Sequence, residues 1–97
     1  MLQASFVASL SADGRSLVLK PVNAVALEAG RALELWAVPG QGAPRSLGLV
    51  SGERGATVLR ANLLQGVAAF AVSLEPAGGS PTGAPTGPIV SVGKLSI

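Results

Sequence analysis

Apolar and polar residues alternate with a period of two through several short runs of this chain, the signature of half-buried β-strands. Ser5 to Leu10 puts Phe6, Ala8 and Leu10 on one face and Ser5, Val7 and Ser9 on the other. Ala12-Asp13-Gly14-Arg15 reads as a tight hairpin turn, because Asp-Gly readily adopts the positive φ values that such turns require. Ser16 to Lys20 follows, with Leu17 and Leu19 on one face, until Pro21 removes a ladder donor. Asn23 to Ala29 fits either a loop or one helical turn, closed by Gly30.

Ala32 to Val38 carries the clearest alternation: Leu33, Leu35 and Ala37 against Glu34, Trp36 and Val38. A loop from Pro39 to Pro44 leads to Ser46 to Val50 as its hairpin partner. Gly52 to Gly55 then turns the chain into Thr57 to Arg60. Asn62 is placed to cap a short turn through Leu63 and Leu64 that Gly66 ends. Ala69 to Glu75 is the next strand, with Phe70, Val72 and Leu74 inward and Ala71, Ser73 and Glu75 outward. After a loop from Pro76 to Pro88, Ile89 to Ile97 forms the last strand, with Gly93 a candidate bulge. About seven short strands separated by turns predict an all-β fold, a Greek-key, immunoglobulin-like β-sandwich. A partly open β-barrel is the alternative.

Length keeps this to one domain spanning residues 1–97, since 97 residues cannot bury a second core. Phe6, Trp36 and Phe70 are the only aromatic residues, so the core must be built from Leu and Val. Charge is sparse: seven basic and five acidic side chains leave +2, and the arginines are scattered without interleaved aromatics. Nucleic-acid binding needs clustered cations with stacking or groove-reading elements, so no nucleic-acid partner is expected. No apolar run reaches the ~18 residues of a membrane helix. Met1-Leu2-Gln3 lacks the basic and apolar regions of a signal peptide.

Histidine and cysteine are both absent, which removes the commonest general base, the commonest metal ligand and all thiol chemistry. The acids Asp13, Glu28, Glu34, Glu53 and Glu75 are isolated in sequence, with no pair spaced as a catalytic dyad or calcium loop. Gly78-Gly79-Ser80-Pro81-Thr82-Gly83 is no phosphate loop: no Lys follows the last Gly, and prolines remove donors that would cradle an anion. Neither an enzyme nor a cofactor or metal site is expected.

Two features stand out instead. Trp36, at the centre of a strand, is read as a core or inter-sheet anchor, against a role as an exposed partner anchor. The loop after Glu75 is the other: Pro76, Pro81, Pro85 and Pro88 restrict φ, so it should be semi-rigid and extended despite its glycines. Ser80, Thr82 and Thr86 hydroxyls can bond its backbone, and Glu75 is placed to accept the N–H groups of Gly78 and Gly79. Glu75, Pro76, Gly78, Gly79, Ser80, Pro81, Thr82, Gly83, Pro85, Thr86 and Gly87 thus form either a structural crossover or a recognition and protease-control surface.

Two blocks of the chain resemble the C-terminal domain of the anti-sigma-K factor family. The first is Ala29-Gly30-Arg31 leading into Leu33-Glu34-Leu35-Trp36-Ala37-Val38-Pro39, continued by Ser46-Leu47-Gly48. The second runs from Leu74-Glu75-Pro76-Ala77-Gly78-Gly79-Ser80 through Pro81-Thr82-Gly83-Ala84-Pro85-Thr86-Gly87-Pro88, similar throughout to the family's signature loop. The resemblance implies a membrane-anchored, single-pass anti-sigma factor. Its cytoplasmic region, absent from this chain, sequesters a sigma factor. This domain then lies on the extracytoplasmic, periplasmic side. Regulated proteolysis by membrane or periplasmic proteases releases the sigma factor and switches on transcription. A generic sandwich used for adhesion or binding is the rival reading, and open sheet edges leave room for a homodimer.

Overall fold

Seven strands and no helix lie within residues 5–94, the part of the chain that the computed structural model describes. They are β1 (Phe6–Leu10), β2 (Ser16–Pro21), β3 (Arg31–Pro39), β4 (Arg45–Val50), β5 (Ala56–Leu59), β6 (Val67–Pro76) and β7 (Ile89–Lys94). The extension of the last strand to Ile97 falls partly outside the described residues. Every pairing is antiparallel, in two sheets ordered β1-β2-β5 and β4-β3-β6-β7. The chain crosses between sheets at β2–β3, β4–β5 and β5–β6, and no barrel closes. This is the all-β sandwich read from the alternation, with β4 paired to β3 rather than to β5.

Between the sheets lies an aliphatic core of Leu17, Leu19, Leu33, Leu35, Ala37, Val50, Val58, Leu63, Val67, Phe70 and Val72. Successive strand residues point to opposite faces, so Leu33, Leu35 and Ala37 face this core from β3 while Phe70 and Val72 face it from β6. Each large side chain of this kind stabilises the fold by about 1.5–3 kcal/mol when fully buried. Leu63, in the turn between β5 and β6, plugs one end of the core; that turn closes on backbone bonds such as Gln65 N–H to Asn62 C=O.

Asn23 to Ala29 resolves as an irregular crossover rather than a helical turn. Val25 donates its N–H to the Gly52 carbonyl at 2.7 Å, and Val25 and Leu27 pack half-buried on the core. The bulge near the C-terminus is also displaced from its expected place. Gly93 pairs regularly with Phe70, and the register shifts between Val72 and Ser73, leaving Val90 as the extra residue. The ladder adjusts where the incoming chain is tied by Leu74 N–H to Pro88 C=O at 3.0 Å. Glycine permits a bulge; it does not require one.

The sheets approach each other at the β4–β5 edge and splay at the β1–β7 edge. Phe6, Ala8 and Leu10 do face inward, but they meet a cleft of about 300 Å³ shared with Leu17, Leu35, Phe70, Ser91 and Gly93. That opening is why Leu10 remains 38% exposed despite its inward phase.

Candidate functional site

The residues that alternate with the core positions of β3 and β6 point away from the first sheet. On an ordinary sandwich such an outer face is solvated. Here it is buried: Glu34, Trp36, Ala71, Ser73 and Glu75 are all buried, with Trp36, Ser73 and Glu75 at 0% exposure. Residues 77–88, joining β6 to β7, run back over this face as a strap and are fastened to it by the two carboxylates.

Glu75 closes the far end. Its Oε2 accepts the Ser73 hydroxyl at 2.6 Å, the Thr86 N–H at 3.0 Å and the Gly87 N–H at 3.2 Å. Its Oε1 accepts the Thr86 hydroxyl, and the Thr86 N–H is shared with it at 3.2 Å. Glu34 holds the near end: Oε1 accepts the Ser80 N–H at 2.7 Å, and Oε2 accepts the Ser46 hydroxyl. Trp36 completes the set, its indole N–H donating to Ser73 Oγ at 2.8 Å. Indole, hydroxyl and carboxylate therefore form one donor chain running from Trp36 through Ser73 to Glu75. Bonds to an ionised acceptor are roughly twice as strong as neutral ones, and a fully satisfied buried network rigidifies what it joins. Among the described residues no buried side-chain polar atom lacks a partner.

Within the strap, the Ser80 and Thr82 hydroxyls both donate to the Ala84 carbonyl, so this segment is shaped by its own side chains. Gly78 and Gly79 form the turn at its start, where Gly79 N–H bonds Pro76 C=O at 2.9 Å. Gly79 sits at φ +98°, and a Cβ there would meet Glu34 Oε1 at 3.0 Å, so glycine meets both a backbone and a packing demand. Pro76, Pro81, Thr82 and Gly83 are exposed, while Pro85 and Gly87 are half-buried.

Two expectations are corrected by this geometry. Glu75 pins the strap, but through Thr86 and Gly87 rather than Gly78 and Gly79; the Gly79 N–H donates to the Pro76 carbonyl instead. Trp36 is fully buried, as read against the exposed-anchor alternative, yet it lies on the outer face of its sheet and not between the sheets. Alternation had already put Trp36 in the opposite phase to Leu33 and Leu35. What a single strand does not show is that a distant loop covers that phase. Glu34 and Ser46 were missed for the same reason. Their signal appears only once β3 is paired with β6 and β4, which sets Glu34 opposite Ser73 and Trp36 opposite Ser46.

Burial is the largest single influence on the Glu75 carboxyl and pushes its pKa up. The Ser73 and Thr86 hydroxyls and the Gly87 and Thr86 N–H groups together outweigh it, so the pKa lies below its ordinary value of 4.5. A lowered carboxyl contributes stability that is present above its unfolded pKa and lost as pH falls through the folded one. Thermal melts by circular dichroism should therefore show a stability plateau above about pH 4.5, falling below it. In Glu75→Gln the acid slope should be shallower. The Asp13 carboxyl is also lowered, by the Ser11 hydroxyl and the Arg15 N–H, but it is exposed and fastens only its own hairpin turn.

Trp36→Phe removes the indole donor and leaves a void beside Ser73. It should cost about 2 kcal/mol, read as a lower urea midpoint with an unchanged slope.

Among the described residues no group of His, Cys, Asp and Glu is gathered to hold a metal ion, and no helix is long and apolar enough to cross a membrane. What fold and site define is a two-layer β-domain whose one specialised feature is a loop clasped over a sheet by buried carboxylates. Over residues 1–89 the chain matches the family described as "Anti-sigma-K factor rskA, C-terminal", and it belongs to that family. It is accordingly an anti-sigma factor domain, of a family that is regulatory rather than catalytic and whose partner is a sigma factor. No curated protein and no solved structure matches the chain.

Proposed function

We propose that this chain is the extracytoplasmic, periplasmic-side sensor and regulatory domain of a membrane-anchored anti-sigma factor, and that it controls sigma-factor-dependent transcription through regulated proteolysis. Family membership over residues 1–89 carries the reading. The sigma factor is bound by another region of the parent protein, and this domain sets when that region is released. Proteases cut extended, accessible backbone, so a folded domain withholds its chain until it opens locally. A loop of glycine, proline and threonine would ordinarily be an open target. Here its backbone is tied at Ser80, Thr86 and Gly87 to buried carboxylates, which supports a gating role. The exposed outer surface of the strap, at Pro81, Thr82 and Gly83 and continued by Pro76 at the end of β6, is the face offered to a protease or other partner. The free edges of β1 and β7 are the surfaces through which a homodimer would form.

The test uses the full-length parent protein in its host. Glu75→Ala should accelerate cleavage, followed by immunoblot, and raise a sigma-dependent reporter in the absence of inducing stress. A destabilised domain with unchanged cleavage and an unchanged reporter would remove the gating role.

A further inference from the structure

We infer that the strap from Ser80 onward and β7, residues 80–94, are one local opening unit that leaves the domain when the Glu34 and Glu75 clasp gives way, while β1 to β6 stay folded. The inference rests on packing and hydrogen bonding and holds whether or not the gating reading does. β7 is an edge strand, bonded to β6 on one side only. Its inward residues Ser91 and Gly93 face the open cleft rather than a packed neighbour, and its Ile89 and Val92 are 47% and 62% exposed. Val90 alone packs on the core, and it does so half-buried at the bulge that interrupts the ladder.

Segments with few buried apolar contacts and an exposed edge occupy the low-stability end of a structure. What β7 lacks in packing is supplied at its start. Pro88, the residue before it, accepts the Leu74 N–H, and Gly87 and Thr86 are held by Glu75. Remove the clasp and only the single bond from Leu74 N–H to Pro88 C=O is left to fix where β7 begins. The other end of the sandwich is built differently: β3 pairs along its length with both β4 and β6, so it can persist when β7 departs. Departure turns β6 into an edge strand and bares the Trp36 face.

Native-state amide hydrogen exchange of the 97-residue chain tests this at neutral pH. Amides across residues 80–94 should exchange together, at least ~10-fold faster than those of β2 and β3, through an opening with weak urea dependence. Thr86→Val, which removes one clasp hydroxyl but keeps the backbone donor, should speed exchange in 80–94 several-fold and leave β2 and β3 unaffected. Glu75→Gln should do so more strongly, but the milder variant suffices if that protein fails to fold. Exchange of 80–94 only through global unfolding would overturn the inference, as would acceleration confined to the strap with β7 unmoved. A cellular reporter that failed to respond would bear on the gating reading and leave this result intact.

Discussion

Replacing Glu75 by Leu should destabilise the domain by about 3 kcal/mol or more, a drop in Tm of roughly 12–24 °C at this size. The substitution is near in volume and more apolar, so burial alone would favour it. Pairing decides the opposite outcome. The carboxylate accepts hydrogen bonds from the Ser73 and Thr86 hydroxyls and from the Thr86 and Gly87 N–H groups. Leucine leaves those donors without their acceptor; Ser73 is fully buried and Gly87 half-buried, while Thr86 is exposed, and each buried orphan costs about 1–3 kcal/mol. Part of the loss is recovered as the strap lifts into water, which keeps the total below the sum. Chemical denaturation read by circular dichroism checks the value. Stability within 1 kcal/mol of wild type would mean that the clasp contributes little beyond filling space.

Gly87→Ala should cost about 4–5 kcal/mol, near the upper end for a single change. The cause here is steric. An added Cβ would lie 1.7 Å from the Leu74 carbonyl oxygen and 2.9 Å from its carbon, both backbone atoms of β6 that cannot swing aside. Either β6 moves, which disturbs its ladder with β3, or the strap rises and breaks the bond from Gly87 N–H to Glu75. By contrast Gly83, with open space around its Cβ position, should tolerate alanine at the smaller cost of its φ of +81°. Thermal unfolding of the two variants side by side separates crowding from backbone strain. Equal melting temperatures would remove the close approach as the reason for glycine at position 87.

Much of the sandwich could be read from alternation. β3 and β6 have inward faces, Leu33-Leu35-Ala37 and Phe70-Val72, that a period of two isolates without ambiguity, and the core contains them. One place left open and one misplaced share a cause. The crossover at Asn23 to Ala29 and the bulge at Val90 are set by where other segments must go, which no local pattern encodes. The clasp was half legible. Glu75 beside a proline-rich loop signals an anchor by its chemistry, since a carboxylate next to unpaired N–H groups will accept from some of them. Which ones depends on the path of the strap, and that path is fixed at its near end by Glu34. In sequence Glu34 is one more polar residue on an alternating strand, and only pairing with β6 and β4 reveals it.

The placement of the sole tryptophan has a practical corollary. Because its indole lies beneath the strap and is hydrogen-bonded to the anchoring network, rather than sunk among the leucines, the fluorescence of this protein is an optical gauge of one loop. Emission colour and quencher access register whether that cover is on or off, and stay silent about the aliphatic interior behind it.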